Sequence, residues 1–497
     1  MSIDSELKKG AFVNFIGVIG KMAAPAFLIV VNRFYGPDVF GIYITANIAI
    51  EIIIAFLTSG FKDGALIFVA RFADDKGEQL DLYNSLANAF AWSIGFATLV
   101  LVIGATFGQD ILELAYQEDF NEGLSIMFRF MLFAIPLMAF ERIVLAATQG
   151  LKIMKYDALS NGWLRPLALL LFSILFWFIE PNLTGMALAY LSTQVLLFLV
   201  SIWIYSRELS WIKLFYGFRT FKVDKELLDF AIPQNVNMTL NRFITGIDVL
   251  MLPAFGFSPT IVGFYGAGSM IIREVKAIKM VFSTAFAPYI VRLHKEEKFE
   301  ELSHNFSKTA SWIATLVIPA LLLIAIFKED LLAIIHPEYG GTSTFMYFLL
   351  PIPYIYCSFS LAGNIVAMTG HSKLTLMNSI FVSIANVLMN LVLIPLFGLV
   401  GAAIASAIAT LSLHSLELGE ARWIANAKLY IRDIYKPHSA GAVSALLLAT
   451  GLLFFPWFTR GLLEQAALGA ILLVVFGLLL GGDYLRRVRK KLKKSTG

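Results

Sequence analysis

The 497-residue chain is 58% hydrophobic and only 15% charged, with a mean hydropathy of +0.75. Soluble domains carry about 25% charged residues, so too few polar side chains are present to clothe a water-soluble globule of this length. A soluble enzyme is excluded, and a net charge of +4, from 39 basic and 35 acidic side chains, gives no ground for nucleic-acid binding. The single cysteine, Cys357, excludes an intrachain disulfide and a thiolate metal cluster, since both need partners. The composition is that of an all-α polytopic membrane protein.

Apolar stretches of about 17 to 25 residues mark membrane-spanning helices, and fourteen are predicted. The first six are 11–31, 39–60, 86–107, 126–147, 161–179 and 184–206. The first follows Lys8 and Lys9 and lacks a small-residue cleavage site, so it reads as a retained helix. Six more follow at 228–255, 260–288, 307–327, 343–368, 375–396 and 398–418, with a final pair at 438–456 and 464–482. The expected organisation is an N-terminal six-helix lobe (1–206), a cytoplasmic linker (207–227) and a C-terminal six-helix lobe (228–418). A cytoplasmic loop (419–437), an extra helix pair (438–485) and a basic cytoplasmic tail (486–497) complete it.

Lys and Arg in short loops resist translocation, so their placement predicts orientation. The termini and even-numbered loops hold 28 basic residues and the opposite loops three, Arg33, Lys328 and Arg460. Both termini are therefore expected in the cytoplasm. The two groups of six also echo each other. Pro37, Gly41 and Tyr43 meet Pro259, Gly263 and Tyr265 at an offset of 222. Arg71 meets Arg292 and Thr148 meets Thr369 at 221, and GMALA from Gly185 meets GAAIA from Gly401 at 216. An even number of helices per copy makes the repeat parallel, about an axis along the membrane normal.

Three segments carry a family likeness. NVLMNLVLIPLFGLVGAAIASAIAT (386–410) resembles the eleventh and twelfth helices of bacterial polysaccharide and O-antigen flippases. RFYGPDVFGIY with FKDGALIFVAR is similar to that family's first outer loop and second helix, and GIDVLMLPAFGFSPTIVGFYGAG to its seventh and eighth. The likeness covers about residues 7 to 418. It implies membership of the superfamily that also holds multidrug exporters and peptidoglycan-precursor flippases, with two six-helix lobes and alternating access around a central cavity. The implied substrate is a polyprenyl-pyrophosphate-linked oligosaccharide, moved from the cytoplasmic to the outer leaflet of the bacterial cytoplasmic membrane. The implied partners are that lipid-linked substrate, membrane lipid and polysaccharide-assembly proteins, with no cofactor and no nucleic acid.

Charges inside spans direct attention to a site, because a charged side chain at a helix centre costs about 2.5 to 3.5 kcal/mol on insertion scales. Lys21 lies about ten residues into the first span, or roughly 15 Å at 1.5 Å per residue, near the midplane. Arg242 is central in the seventh span. Arg273, Lys276 and Lys279 sit in the eighth, within an arc of about 120° at 100° per residue, and so form one cationic stripe. These five are the expected substrate-binding residues, since a partly desolvated diphosphate needs charge-assisted donors. Glu51 and Asp248 are expected to balance Lys21 and Arg242 or to serve ion coupling. Arg129, Arg142 and Arg165, nearer span ends, are expected to extend to the interface.

No catalytic or metal site emerges. His294, His304, His336, His371, His414 and His438 show no close metal-ligand spacing. No Walker loop occurs, which removes built-in ATP hydrolysis. An ion-coupled exporter of cationic drugs would want acids in its cavity. A membrane glycosyltransferase or polysaccharide polymerase would want a larger outer loop than 108–125, where Glu118 and Asp119 stand.

Overall fold

The computed structural model describes residues 23–72, 79–116, 118–341, 343–454 and 461–495, and all regular structure among them is helical. Lys21 and most of the first predicted span lie outside the described residues. The chain clusters into two compact units, residues 1–266 and 267–497.

The first unit holds α1 (Ala23–Tyr35), α2 (Pro37–Phe72), α3 (Gln79–Ala115), α4 (Glu118–Gly150) and α5 (Lys155–Ile179). It continues with α6 (Leu183–Glu208), α7 (Trp211–Arg219), α8 (Lys225–Ala254) and the start of α9 (Pro259–Glu274). Gly36 at φ +98° turns the chain and Pro37 opens α2, since glycine tolerates positive φ and proline suits the first helical position. Asn182, Ser210 and Asp224 cap α6, α7 and α8, each accepting from backbone N–H groups of the first turn.

Helix α2 is the hub of this unit and packs on α4 and α8. Lipid removes the hydrophobic drive between helices, so close backbone approach at small residues carries the packing. A Cβ on Gly41 would stand 1.8 Å from the Pro259 carbonyl oxygen, and one on Gly60 would stand 2.0 Å from that of Ala231. Asn235 Oδ1 accepts from the Gly60 N–H at 2.6 Å. The core toward α3 and α7 is aromatic, with Phe90 stacked on Phe140 at 5.2 Å and edge-on to Tyr205.

The second unit holds the rest of α9, then α10 (Ala277–Lys295), α11 (Phe299–Ile335), α12 (Thr344–Phe359) and α13 (Leu361–Met368). Helices α14 (Ser372–Phe397), α15 (Leu399–Trp423), α16 (Ile431–Phe454) and α17 (Leu462–Ser495) complete it. Gly398, at φ +58°, alone separates α14 from α15. The repeated motifs GMALA and GAAIA have the same local meaning in each unit. A Cβ on Gly185 or on Gly401 would lie 1.9 Å from the carbonyl of Glu180 or Leu393, so both glycines let a helix restart tightly against the segment before it.

Ten described helices are long and apolar enough to cross a membrane, or eleven if α12 and α13, bent by 43°, form one span. The chain is a multi-pass membrane protein. Three departures from the expected spans have physical causes. Helix α8 falls outside this set because Gln234, Asn235, Asn237, Asn241 and Arg242 make it polar. Pro351 and Pro353 fall where the span 343–368 breaks up. The span 260–288 is divided at Val275–Lys276, where N–H groups of Val275, Lys276 and Ile278 turn to carbonyls three residues back. Arg273, Lys276 and Lys279 therefore do not sit on one continuous helix, although the tighter turn keeps residues three apart on one side. Lys276 immediately precedes α10, and the three straddle a tightened turn.

Candidate functional site

Four helices of the first unit bring their polar residues to one cavity of about 680 Å³. Helix α2 supplies Asn47, Glu51 and Lys62, which fall within about 60° of arc at 100° per residue. Helix α4 supplies Glu141, Arg142 and Gln149, and α8 supplies Met238 and Arg242. Helix α5 supplies Asp157, Asn161 and Arg165, four residues apart, through a π-helical stretch at Ala158–Leu164. Such stretches recur at functional sites because their wider turn re-aims side chains.

Acids and bases are equal in number in the lining, with Glu51, Asp63, Glu141 and Asp157 against Lys62, Arg142, Arg165 and Arg242. Glu141 is 1% exposed, and its two oxygens take Arg165 Nη2 at 2.6 Å and the Ser160 hydroxyl at 2.7 Å. Arg165 donates further to Gln194 at 3.1 Å and to Asn161 at 3.3 Å, and Asn161 donates to Asp157 at 2.9 Å. Glu51 takes Arg142 Nη2 at 3.0 Å. Asp63 takes Lys62 at 3.2 Å and Gln234 at 3.1 Å. Among the described residues the Arg242 guanidinium has no ion pair or hydrogen bond. It is exposed, and close enough to act electrostatically on Glu51.

Arg242 and Glu51 therefore line one cavity, as the mid-span charges suggest, but several expected roles change. Arg142 and Arg165 are held in ion pairs inside the cavity and do not extend to the interface. Asp248 does not balance Arg242. Six residues on one helix place them about 240° apart, and Asp248 is buried, accepting from the Tyr265 hydroxyl at 2.7 Å. Glu141, Asp157, Asn161 and Gln194 are absent from the sequence reading. Their signals were a Glu-Arg pair inside an apolar span and polar residues four apart leading into the next.

Within the second unit Lys276 and Lys279 both lie over the Tyr356 ring, at 5.1 and 4.8 Å. The same ring meets His414 edge-on at 5.6 Å, and His414 Nδ1 lies 2.7 Å from Glu417. Lys279, His414 and Glu417 are buried, and Glu417 acts electrostatically on Lys279. Gly363 makes room for that carboxylate, because a Cβ there would meet Glu417 Oε1 at 2.4 Å. Arg273 is half-buried in the turn before this cluster. A separate cavity of about 590 Å³, lined by residues such as Leu322, Leu350 and Leu452, is apolar except at Tyr347, Tyr354 and His438, the last two hydrogen-bonded at 2.6 Å. No group of three or more metal-ligating side chains occurs among the described residues.

The described residues form an all-helical, multi-pass membrane protein with an ion-paired polar cavity among helices of the first unit. Residues 7–294, more than half of the chain, match the family of polysaccharide biosynthesis proteins, and the chain belongs to that family. Comparison with curated proteins finds no match. Among solved structures it is similar to the lipid II flippase MurJ in an inward closed conformation, at 12% identity and a TM-score of 0.72, covering 96% of this chain and 100% of that one. An inward-facing multidrug resistance MATE transporter of the MOP superfamily aligns at 14% identity and 0.68, over 81% and 93%. A MOP superfamily transporter from Pyrococcus furiosus, described as having a binding pocket of reverse polarity, aligns at 13% and 0.60, over 83% and 93%. These likenesses show a shared fold, and the proteins that share it are transporters and flippases by description.

Proposed function

We propose that this protein moves an anionic, polyprenyl-diphosphate-linked oligosaccharide from the cytoplasmic to the outer leaflet of the bacterial cytoplasmic membrane by alternating access. Both termini lie in the cytoplasm, and the role falls within cell-surface polysaccharide biosynthesis, without catalysis by the chain itself. The observation that carries the reading is Arg242. The acids in the first-unit cavity are engaged by Arg142, Arg165, Lys62, Gln234 and Asn161. Among the described residues that leaves the Arg242 guanidinium as the free charge in this cavity, and guanidinium is suited to bidentate recognition of phosphate. The cavity volume falls in the range of small-ligand sites, about 300 to 1,000 Å³, which suits a diphosphate and its nearest sugar. An exporter of organic cations would need a free acid in the same place.

Depletion of the protein is expected to accumulate a diphosphate-linked oligosaccharide on the cytoplasmic leaflet, read by leaflet-selective labelling and mass spectrometry. Unchanged glycan distribution between leaflets would defeat the reading. Arg273, Lys276 and Lys279 are assigned to the same substrate as a second cationic cluster, and Lys21 as a further contact. An Arg273→Ala, Lys276→Ala double variant is expected to lose most export at normal abundance. Full export by it would show that the cluster serves internal pairing with Glu417 and Tyr356 only.

A further inference from the structure

The two carboxylate–arginine pairs of the first-unit cavity are built differently. In the Glu141–Arg165 pair both carboxylate oxygens are engaged, the acid is buried, and the guanidinium is anchored by Gln194 and Asn161. The Glu51–Arg142 pair is a single contact at 3.0 Å between side chains 28% and 20% exposed. Both of its members line the cavity that Arg242 also lines. A phosphate and a carboxylate present the same kind of acceptor to a guanidinium, so an anion entering beside Arg242 competes with Glu51 for Arg142.

We propose that Glu51 is a tethered competitor for the substrate's phosphate: a diphosphate docking at Arg242 takes Arg142 from Glu51, and the released carboxylate takes up a proton, so that anion and proton occupy the cavity together. The proposal rests on reading the cavity as a diphosphate site. Before exchange, Glu51 faces Arg142 across the 3.0 Å contact, with Arg242 and Arg165 as further cationic neighbours. After it, Arg142 and Arg242 are turned to the diphosphate and Glu51 stands beside added negative charge, which like-charge repulsion relieves by protonation.

Among the described residues, the surrounding groups leave Glu51 as the site of that proton. On its own helix α2, Lys62 and Asp63 are paired with each other, and Tyr43 is buried. From α4, Glu141 is fully engaged, and from α5, Asp157 accepts from Asn161 while Arg165 is held by Glu141. From α6, the buried Tyr190 is the titratable neighbour, and from α8, Arg242. Helix α3 contributes nothing to the lining. The complex then holds one proton more than its separate parts, so affinity for the anion rises as pH falls.

The test uses the full chain in detergent with farnesyl diphosphate as the probe, titrated calorimetrically at pH 6.5 and 8.5. Glu51→Gln removes the competitor and is expected to bind about tenfold tighter than wild type at pH 8.5, with the advantage shrinking at pH 6.5. Glu51→Asp keeps the competitor and the wild-type pH dependence. Arg242→Gln loses binding at both values. If Arg242→Gln loses binding while Glu51→Gln binds no tighter than wild type, the exchange is overturned and the diphosphate site stands. If wild type does not bind the probe, or Arg242→Gln binds as well as wild type, the site itself fails and the exchange with it. Should Glu51→Gln not purify as a monodisperse species, wild-type titrations in two buffers of different ionisation enthalpy decide the matter. Uptake of about one proton beyond the probe's own supports the exchange, and none overturns it.

Discussion

Arg242→Gln is expected to weaken diphosphate binding by roughly 10- to 150-fold, the equivalent of about 1.5 to 3 kcal/mol for a charge-assisted contact. Glycan export should fall with it, while abundance and melting temperature stay at wild-type levels. The separation of the two effects follows from the site. The guanidinium is exposed to the cavity and makes no hydrogen bond or ion pair among the described residues, so the fold loses nothing when it goes. Arg242→Lys keeps a point charge on a flexible stem but not the planar fork, and should retain part of the affinity. Vesicles carrying Arg242→Gln that still translocate a fluorescent polyprenyl-diphosphate sugar at the wild-type rate would remove Arg242 from the site.

How much of this was legible in the sequence depends on whether a feature is local. The long apolar spans read directly, because a helix of about 20 apolar residues declares itself whatever it packs against. Gly185 and Gly401, matched in sequence by the GMALA and GAAIA motifs, meet the same steric requirement in their own units. The turn at Val275–Lys276 was not legible, since no proline or glycine marks it and the stripe of Arg273, Lys276 and Lys279 looks continuous on a helical wheel. The mid-span charge of Arg242 identified a cavity residue, because only an aqueous or paired setting tolerates it. Its neighbours could not be named. Arg142 and Arg165 stand near span ends, and a basic side chain there can equally reach the interface or fold inward onto an acid. What decides is Glu51 on α2 and Glu141 on α4, and the approach of helices distant in sequence is not written in the local pattern.

Arg165→Met is expected to destabilise the protein by about 3 to 5 kcal/mol, the cost of stranding one member of a buried ion pair. Glu141→Gln should cost much less. The asymmetry comes from where each partner is left. Glu141 is 1% exposed and, without Arg165, keeps only the Ser160 hydroxyl against an ionised carboxylate. Arg165 is 26% exposed, opens to the cavity, and without the carboxylate keeps Gln194 and Asn161. A glutamine at 141 can still accept from Ser160 and from Arg165, so a neutral network of the same shape remains. The double variant Glu141→Gln, Arg165→Met should recover most of the loss seen in Arg165→Met, because it removes the stranded charge rather than adding a second defect. Thermal unfolding of the four proteins in one detergent measures the cycle. Equal destabilisation by the two single changes, adding without coupling in the double, would mean that the pair does not hold the π-helical stretch of α5 against α4, and that the aim of Asp157, Asn161 and Arg165 into the cavity has another cause.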